Sequence, residues 1–141
     1  MPAADSKKES MPNNAKIQRL VREELGGVSI RTCLVHGLTA LLPVDACPRV
    51  RAGLWRLAGV TVGRGTTMTG RIRMTGSRRA AGNVRIGSSC YLNDDVTFNA
   101  GETVTLGDGV SVGMRCLFIT ASHEIGGPSF RAGAQSFRPI S

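Results

Sequence analysis

The chain has 141 residues, of which 18 are Gly and only 4% are aromatic, so it holds one ordinary domain at most and cannot build its core on large rings. Its net charge of +8 is concentrated: nine Arg and no acid lie between Ala46 and Asn93. Such a stretch suits an anionic membrane or a phosphate-bearing ligand; nucleic acid is disfavoured, because stacking aromatics are scarce and no reading motif is present.

Residues 1–13 read as a polar, disordered tail without the apolar core of a signal peptide. Asn14 can cap a helix whose Ile17, Leu20, Val21 and Leu25 share one face, and Gly26-Gly27 ends it. A second helix is expected over 29–42, where Ile30, Leu34, Leu38, Leu41 and Leu42 recur at helical spacing. Pro48 can open a third, with Val50, Leu54 and Leu57 on its apolar side and Arg49 and Arg56 off it, closing at Gly59. Residues 14–58 are therefore a helical lead-in, either a cap on something larger or an amphipathic element lying on lipid through its apolar face and its Arg. His36 reads as an ordinary polar residue on the second helix. The most apolar run, LVHGLTALLPV, is too short to span a bilayer. A cytoplasmic protein is expected, one that can touch the inner face of the membrane.

From Gly59 the period changes to six. Val62, Met68 and Met74 begin it, and SRRAAG at 77–82 interrupts it. Then Ile86, Leu92 and Phe98 fall six apart, each preceded two residues earlier by Val84, Cys90 and Val96. Leu106, Val112 and Phe118 repeat this 20 residues on, preceded by Val104, Val110 and Cys116. Within each six, residues two apart point to one side as in a strand, and the following Gly or polar residues turn the chain. Three such units close a coil of about 18 residues, on which the next coil stacks through parallel hydrogen bonds. The spare two residues fit a loosened corner near Ala100-Gly101, and Gly87, Gly107, Gly109 and Gly113 would give the corners backbone freedom. The four cysteines, Cys33, Cys47, Cys90 and Cys116, show no CxxC and no paired His, so neither a zinc knuckle nor a redox pair is supported, and reduced, buried thiols are expected.

The stretch VRIGSSCYLNDDVTFNAGETVTLGDGVSVGMRCLFITASHEIG resembles the hexapeptide-repeat acyltransferases, in particular the sugar O-acetyltransferase branch that includes maltose, galactoside, nodulation-factor and colanic-acid type enzymes. The resemblance runs from about Gly59 to Arg131. YLN at 91–93, VTLGDGVSVG from Val104 to Gly113 and TASHEIG at 120–126 carry most of it. It implies an all-β solenoid, a left-handed parallel β-helix of hexapeptide coils over 59–122 behind the helical lead-in, with an active-site loop and the start of a next coil over 123–141. It also implies a homotrimer with active sites between neighbouring subunits, acetyl-CoA as donor, and a sugar or glycan acceptor.

On the same resemblance His123 is the catalytic base and Asn93 the acceptor-site Asn. Acetyl transfer to a hydroxyl needs a base, orientation and oxyanion stabilisation; one neutral imidazole can take the hydroxyl proton and return it to the leaving thiolate. Asp94, Asp95 and Glu124 can orient the imidazole or bind sugar hydroxyls, with solvated corner carboxylates as the plain alternative for the two Asp; Asn93 can equally cap a corner. Asp108 reads as structural. Some family members carry a carboxylate where this chain has Asn99. No residue is assigned to CoA, and no metal is expected; carbonic anhydrases of the same coil architecture need several His, and this chain has only His36 and His123.

In the resembled family the loop after the catalytic His leads back through a Pro-Ile pair into further coils. Here Pro139-Ile140 is followed by Ser141 alone, so a truncated chain is expected. The competing function is a non-catalytic scaffold or membrane-docking module.

Overall fold

A computed structural model describes residues 13–141. The expected tail therefore lies outside the described residues, except for Asn13. That residue opens α1 (Asn13–Leu25), so Asn14 sits inside the first turn rather than capping it. Two further helices follow, α2 (Ile30–Ala40) and α3 (Pro48–Ala58). Eleven short strands complete the described residues. These are β1 (Thr61–Val62), β2 (Thr67–Met68), β3 (Ile72–Thr75), β4 (Val84–Ile86), β5 (Tyr91–Leu92) and β6 (Val96–Asn99). They continue with β7 (Val104–Leu106), β8 (Ser111–Val112), β9 (Leu117–Ile119), β10 (Ala121–Ile125) and β11 (Ala132–Phe137).

The first nine strands form three parallel sheets, ordered β1-β4-β7, β2-β5-β8 and β3-β6-β9, which the chain visits in turn. Thr61 pairs with Arg85 and Val84 with Val104, so successive partners are 24 and then 20 residues apart. The longer first step contains SRRAAG, part of which winds into a 3-10 turn over Ala80–Asn83. Alternation within each strand sends one side chain in and the next out. Met68, Val84, Leu92, Val96, Phe98 and Val104 are fully buried, and Ile86, Leu106 and Val112 are nearly so. Phe118 is half-buried and stacks on Phe98 at 4.9 Å between ring centroids. The fourth sheet is the antiparallel pair β10-β11, after which Ile140 returns beside β7, bridging Val104 in parallel.

The expected fold class is corrected. Instead of an all-β solenoid, the chain is a mixed α and β fold, with helices of 13, 11 and 11 residues and short strands divided among four small sheets. The hexads make strands of only two to four residues, three to a sheet. The core also needs the helices, since Trp55 of α3 is its largest fully buried side chain.

The corner glycines are also corrected. Among the four named from the pattern only Gly109 has a positive φ, +69°; Ser89, Asp95 and Arg115 take that conformation at other corners. Gly87 is needed for a close approach instead: a Cβ there would lie 2.6 Å from the Gly107 carbonyl carbon. Cys90 is buried and Cys116 half-buried, but Cys33 and Cys47 are exposed, contrary to the expectation of buried thiols.

α2 turns most of its expected apolar face outward, and α3 does so in part, since Leu54 is half-buried against the core. α2 buries Thr32, Val35 and Thr39, while Ile30 is 76% and Leu41 81% exposed and Leu34 and Leu38 also face out. α3 buries Arg51, Ala52, Trp55 and Ala58, leaving Val50 and Leu57 exposed.

Arg51, 0% exposed, explains the inversion. Its Nη1 donates to Thr39 O at 2.8 Å, its Nη2 to Leu42 O and Pro43 O at 2.7 and 2.5 Å, and its Nε to Ala46 O at 3.3 Å. Thr39 O belongs to the last turn of α2 and the other three carbonyls to the loop after it, and a guanidinium placed there also matches the negative end of the helix dipole. The same bonds hold the loop into α3, where Asp45 and Cys47 adopt left-handed conformations. Arg51→Met should therefore cost about 2–3 kcal/mol in urea unfolding, since buried acceptors lose their donors, whereas Leu57→Lys should change stability by no more than about 0.5 kcal/mol.

Candidate functional site

His123 lies not on a loop but in the antiparallel pair, where it stands opposite Gln135. The register shifts between His123 and Ile125. The ring is exposed, and its Nδ1 is 3.2 Å from Gly133 O. A carbonyl can only accept, so in this contact Nδ1 is the donor, and in the neutral ring the lone pair is then on Nε2. Gly133 permits the close pairing, because a Cβ there would come within 2.8 Å of Glu124 O. Glu124 is exposed on the same strand.

Asn93, Asp94 and Asp95 form the corner between β5 and β6. Asn93 Oδ1 accepts from Asp94 N at 2.8 Å, and its Nδ2 makes no hydrogen bond among the described residues. Asp94 Oδ1 accepts from Arg71 N at 2.7 Å and lies 3.9 Å from Arg71 Nε. Asp108 does the same one corner earlier in the next step, accepting from Ser88 N at 2.6 Å. An Asp at this corner position thus bonds the backbone of the preceding level, which gives Asp94 and Asp108 a shared structural task. Asp95 Oδ1 forms an ion pair with Arg73 Nη1 at 3.0 Å, a close charge contact without hydrogen-bond alignment. Among the described residues, no hydrogen bond or ion pair joins this corner to His123 or Glu124 within one chain.

The second histidine, read from the sequence as an ordinary polar residue, has a specific place. His36 sits on the inward side of α2, its ring edge-on to Trp55 with centroids 5.0 Å apart and planes at 88°. Its Nε2 accepts the Met74 N–H of β3 at 3.3 Å. Clefts of about 380 and 310 Å³ open on either side of it, the larger bounded by Gly37, Thr39, Arg71 and Arg73. Burial pushes the imidazole below its ordinary 6.5, and the nearby Arg73 charge acts the same way. A protonated Nε2 would also set donor against donor at Met74. The signal for this role was the Thr32, Val35, Thr39 stripe flanking His36, which the stronger leucine stripe obscured.

Among the described residues no group of three or more His, Cys, Asp or Glu is arranged to hold a metal ion. No helix of the described residues is long and apolar enough to cross a membrane. Compared with known proteins, the chain matches no family model, no curated protein and no solved structure. The acyltransferase resemblance therefore rests on the quoted residues alone.

The lowered His36 pKa has a consequence for stability. Below pH 6.5 the unfolded chain binds a proton that the folded chain resists, so stability falls as pH drops from 6.5 towards the folded-state value. Between about pH 7.5 and 5.5 the melting temperature of the wild type should fall further than that of His36→Gln, which can accept from Met74 without titrating. Parallel melting curves would exclude the assignment.

Proposed function

We propose that the chain transfers an acetyl group from acetyl-CoA to a hydroxyl of a sugar or glycan precursor, with His123 as general base. One observation carries the reading: the His123 ring is exposed and its Nδ1 lies 3.2 Å from Gly133 O, a contact in which the neutral ring donates from Nδ1 and holds its lone pair on Nε2. In the proposed step the sugar oxygen attacks the thioester carbonyl as its proton passes to Nε2. The C–S bond then breaks, and the imidazolium returns the proton to the CoA thiolate, so no acyl-enzyme is needed. Asn93 Nδ2 is available to donate to the acceptor sugar, with Asp94, Asp95 and Glu124 as further acceptor-site residues. Because the corner and His123 are not bonded within one chain, the reading pairs them across subunits of a homotrimer, as the resemblance implies.

A non-catalytic scaffold is favoured by a different observation, the use of Asn93 Oδ1 and Asp94 Oδ1 in corner hydrogen bonds. Incubation of the full chain with acetyl-CoA and a panel of oligosaccharides, with free CoA measured by chromatography, separates the two. Acceptor-dependent release that His123→Ala lowers by about 10²- to 10⁴-fold is expected. Release unchanged by that substitution would remove His123 as the base, and a stable, folded oligomer of the chain with no affinity for acetyl-CoA would favour the scaffold.

A further inference from the structure

The least explained surface is the outer side of the helices. Ile30, Leu34, Leu38 and Leu41 stand in one stripe along α2, all at least half exposed. Over 11 residues the stripe is about 16 Å long. The inward side of α2 is occupied by His36, Thr39 and Val35 against β3 and α3, so the helix cannot turn its leucines in without breaking the Met74 and Arg51 contacts. Ile17, Leu20, Val21 and Leu25 of α1 are likewise exposed. An unpartnered apolar face of this extent marks a contact surface.

Charge says what kind. At the start of α2 an apolar hollow bounded by Leu25, Val28 and Ile30 adjoins a wider one of about 550 Å³ bounded by Ile30, Arg31, Arg78 and Arg79. All three arginines are exposed. Between Val28 and Asn93, Asp45 is the single acid. Two copies of this chain meeting through the face would bring these cations towards each other. An anionic surface would instead be attracted, with the leucines entering the acyl boundary and the arginines meeting phosphate.

We propose that the leucine stripe of α2 and the adjoining Arg31, Arg78, Arg79 hollow dock this protein on an anionic phospholipid bilayer, with α2 lying in the plane of the interface. The acetyl-transfer reading is not required for it. The test is co-sedimentation of the full chain with vesicles of phosphatidylcholine alone or mixed with phosphatidylglycerol, at about 0.1 and about 0.5 M salt. Binding to the mixed vesicles only, weakened by salt, is expected. Leu34→Asp with Leu38→Asp, and separately Arg78→Glu with Arg79→Glu, should each lower partitioning about tenfold or more. All four positions are exposed, and circular dichroism checks that each variant folds; if one pair does not, the other decides. Equal binding to neutral vesicles, no binding to either, or binding unchanged in a folded variant would overturn the proposal. So would concentration-dependent self-association lost in the Leu34→Asp, Leu38→Asp chain without any vesicle binding, which would assign the face to a second copy.

Discussion

The structure depends on how the free side of its first strands is covered. Strands β1, β2 and β3 each begin a parallel sheet, so each has a side with no strand beside it. Unpaired backbone groups on such a side are costly when buried and invite foreign strands when exposed. The helical segment answers each. Arg56 donates to Val62 O at 2.9 Å and Gly63 O at 2.8 Å beside β1, Asp45 N donates to Thr69 O at 2.7 Å after β2, and His36 accepts from Met74 N on β3. Trp55 and Ala58 then close the apolar interior beneath these bonds.

Covering a strand side with polar groups dictates what the helices can do with their leucines. The inward face of α2 carries Thr32, His36 and Thr39 around Val35 where it meets backbone, while α3 sends Trp55, Ala52 and Ala58 into the apolar interior and turns Arg51 towards the end of α2. Arg51 extends the logic to the helices themselves: its buried charge is answered by four carbonyls at the end of α2 and in the following loop, which ties α2 to α3. With the inner face occupied in this way, the leucine stripe is left outside, its start beside Arg31, Arg78 and Arg79.

The candidate site was legible in part. His123 was visible from the resemblance of TASHEIG, but its placement on a strand opposite Gln135, and its contact with the Gly133 carbonyl, depend on a pairing strand about ten residues away that no local pattern announces. Asn93 and Asp94 were readable both as site residues and as corner residues; the structure shows their corner bonds and leaves Asn93 Nδ2 open. His36 reads from the sequence as an ordinary polar residue because its role comes from Met74, 38 residues on.

By itself the sequence determined the register of the strand region. Residues six apart from Val62 onward were marked for the interior, and the SRRAAG insertion and two-residue step anticipated the unequal spacings of the paired strands, because a period of six with two-residue alternation is enforced locally by strand and turn geometry. Pro48 and Gly59 likewise bound α3, since both act through their own backbones. Only the tertiary structure decided that the chain is a mixed fold with helices closing its strands, that leucines face out and Arg51 in, and that Ser89 and Arg115 rather than glycines turn some corners. Amphipathic spacing says that a helix has two faces. Which face is buried is settled by the surface it meets, and here that surface is an apolar interior that takes Trp55 together with backbone groups that take His36 and Arg51.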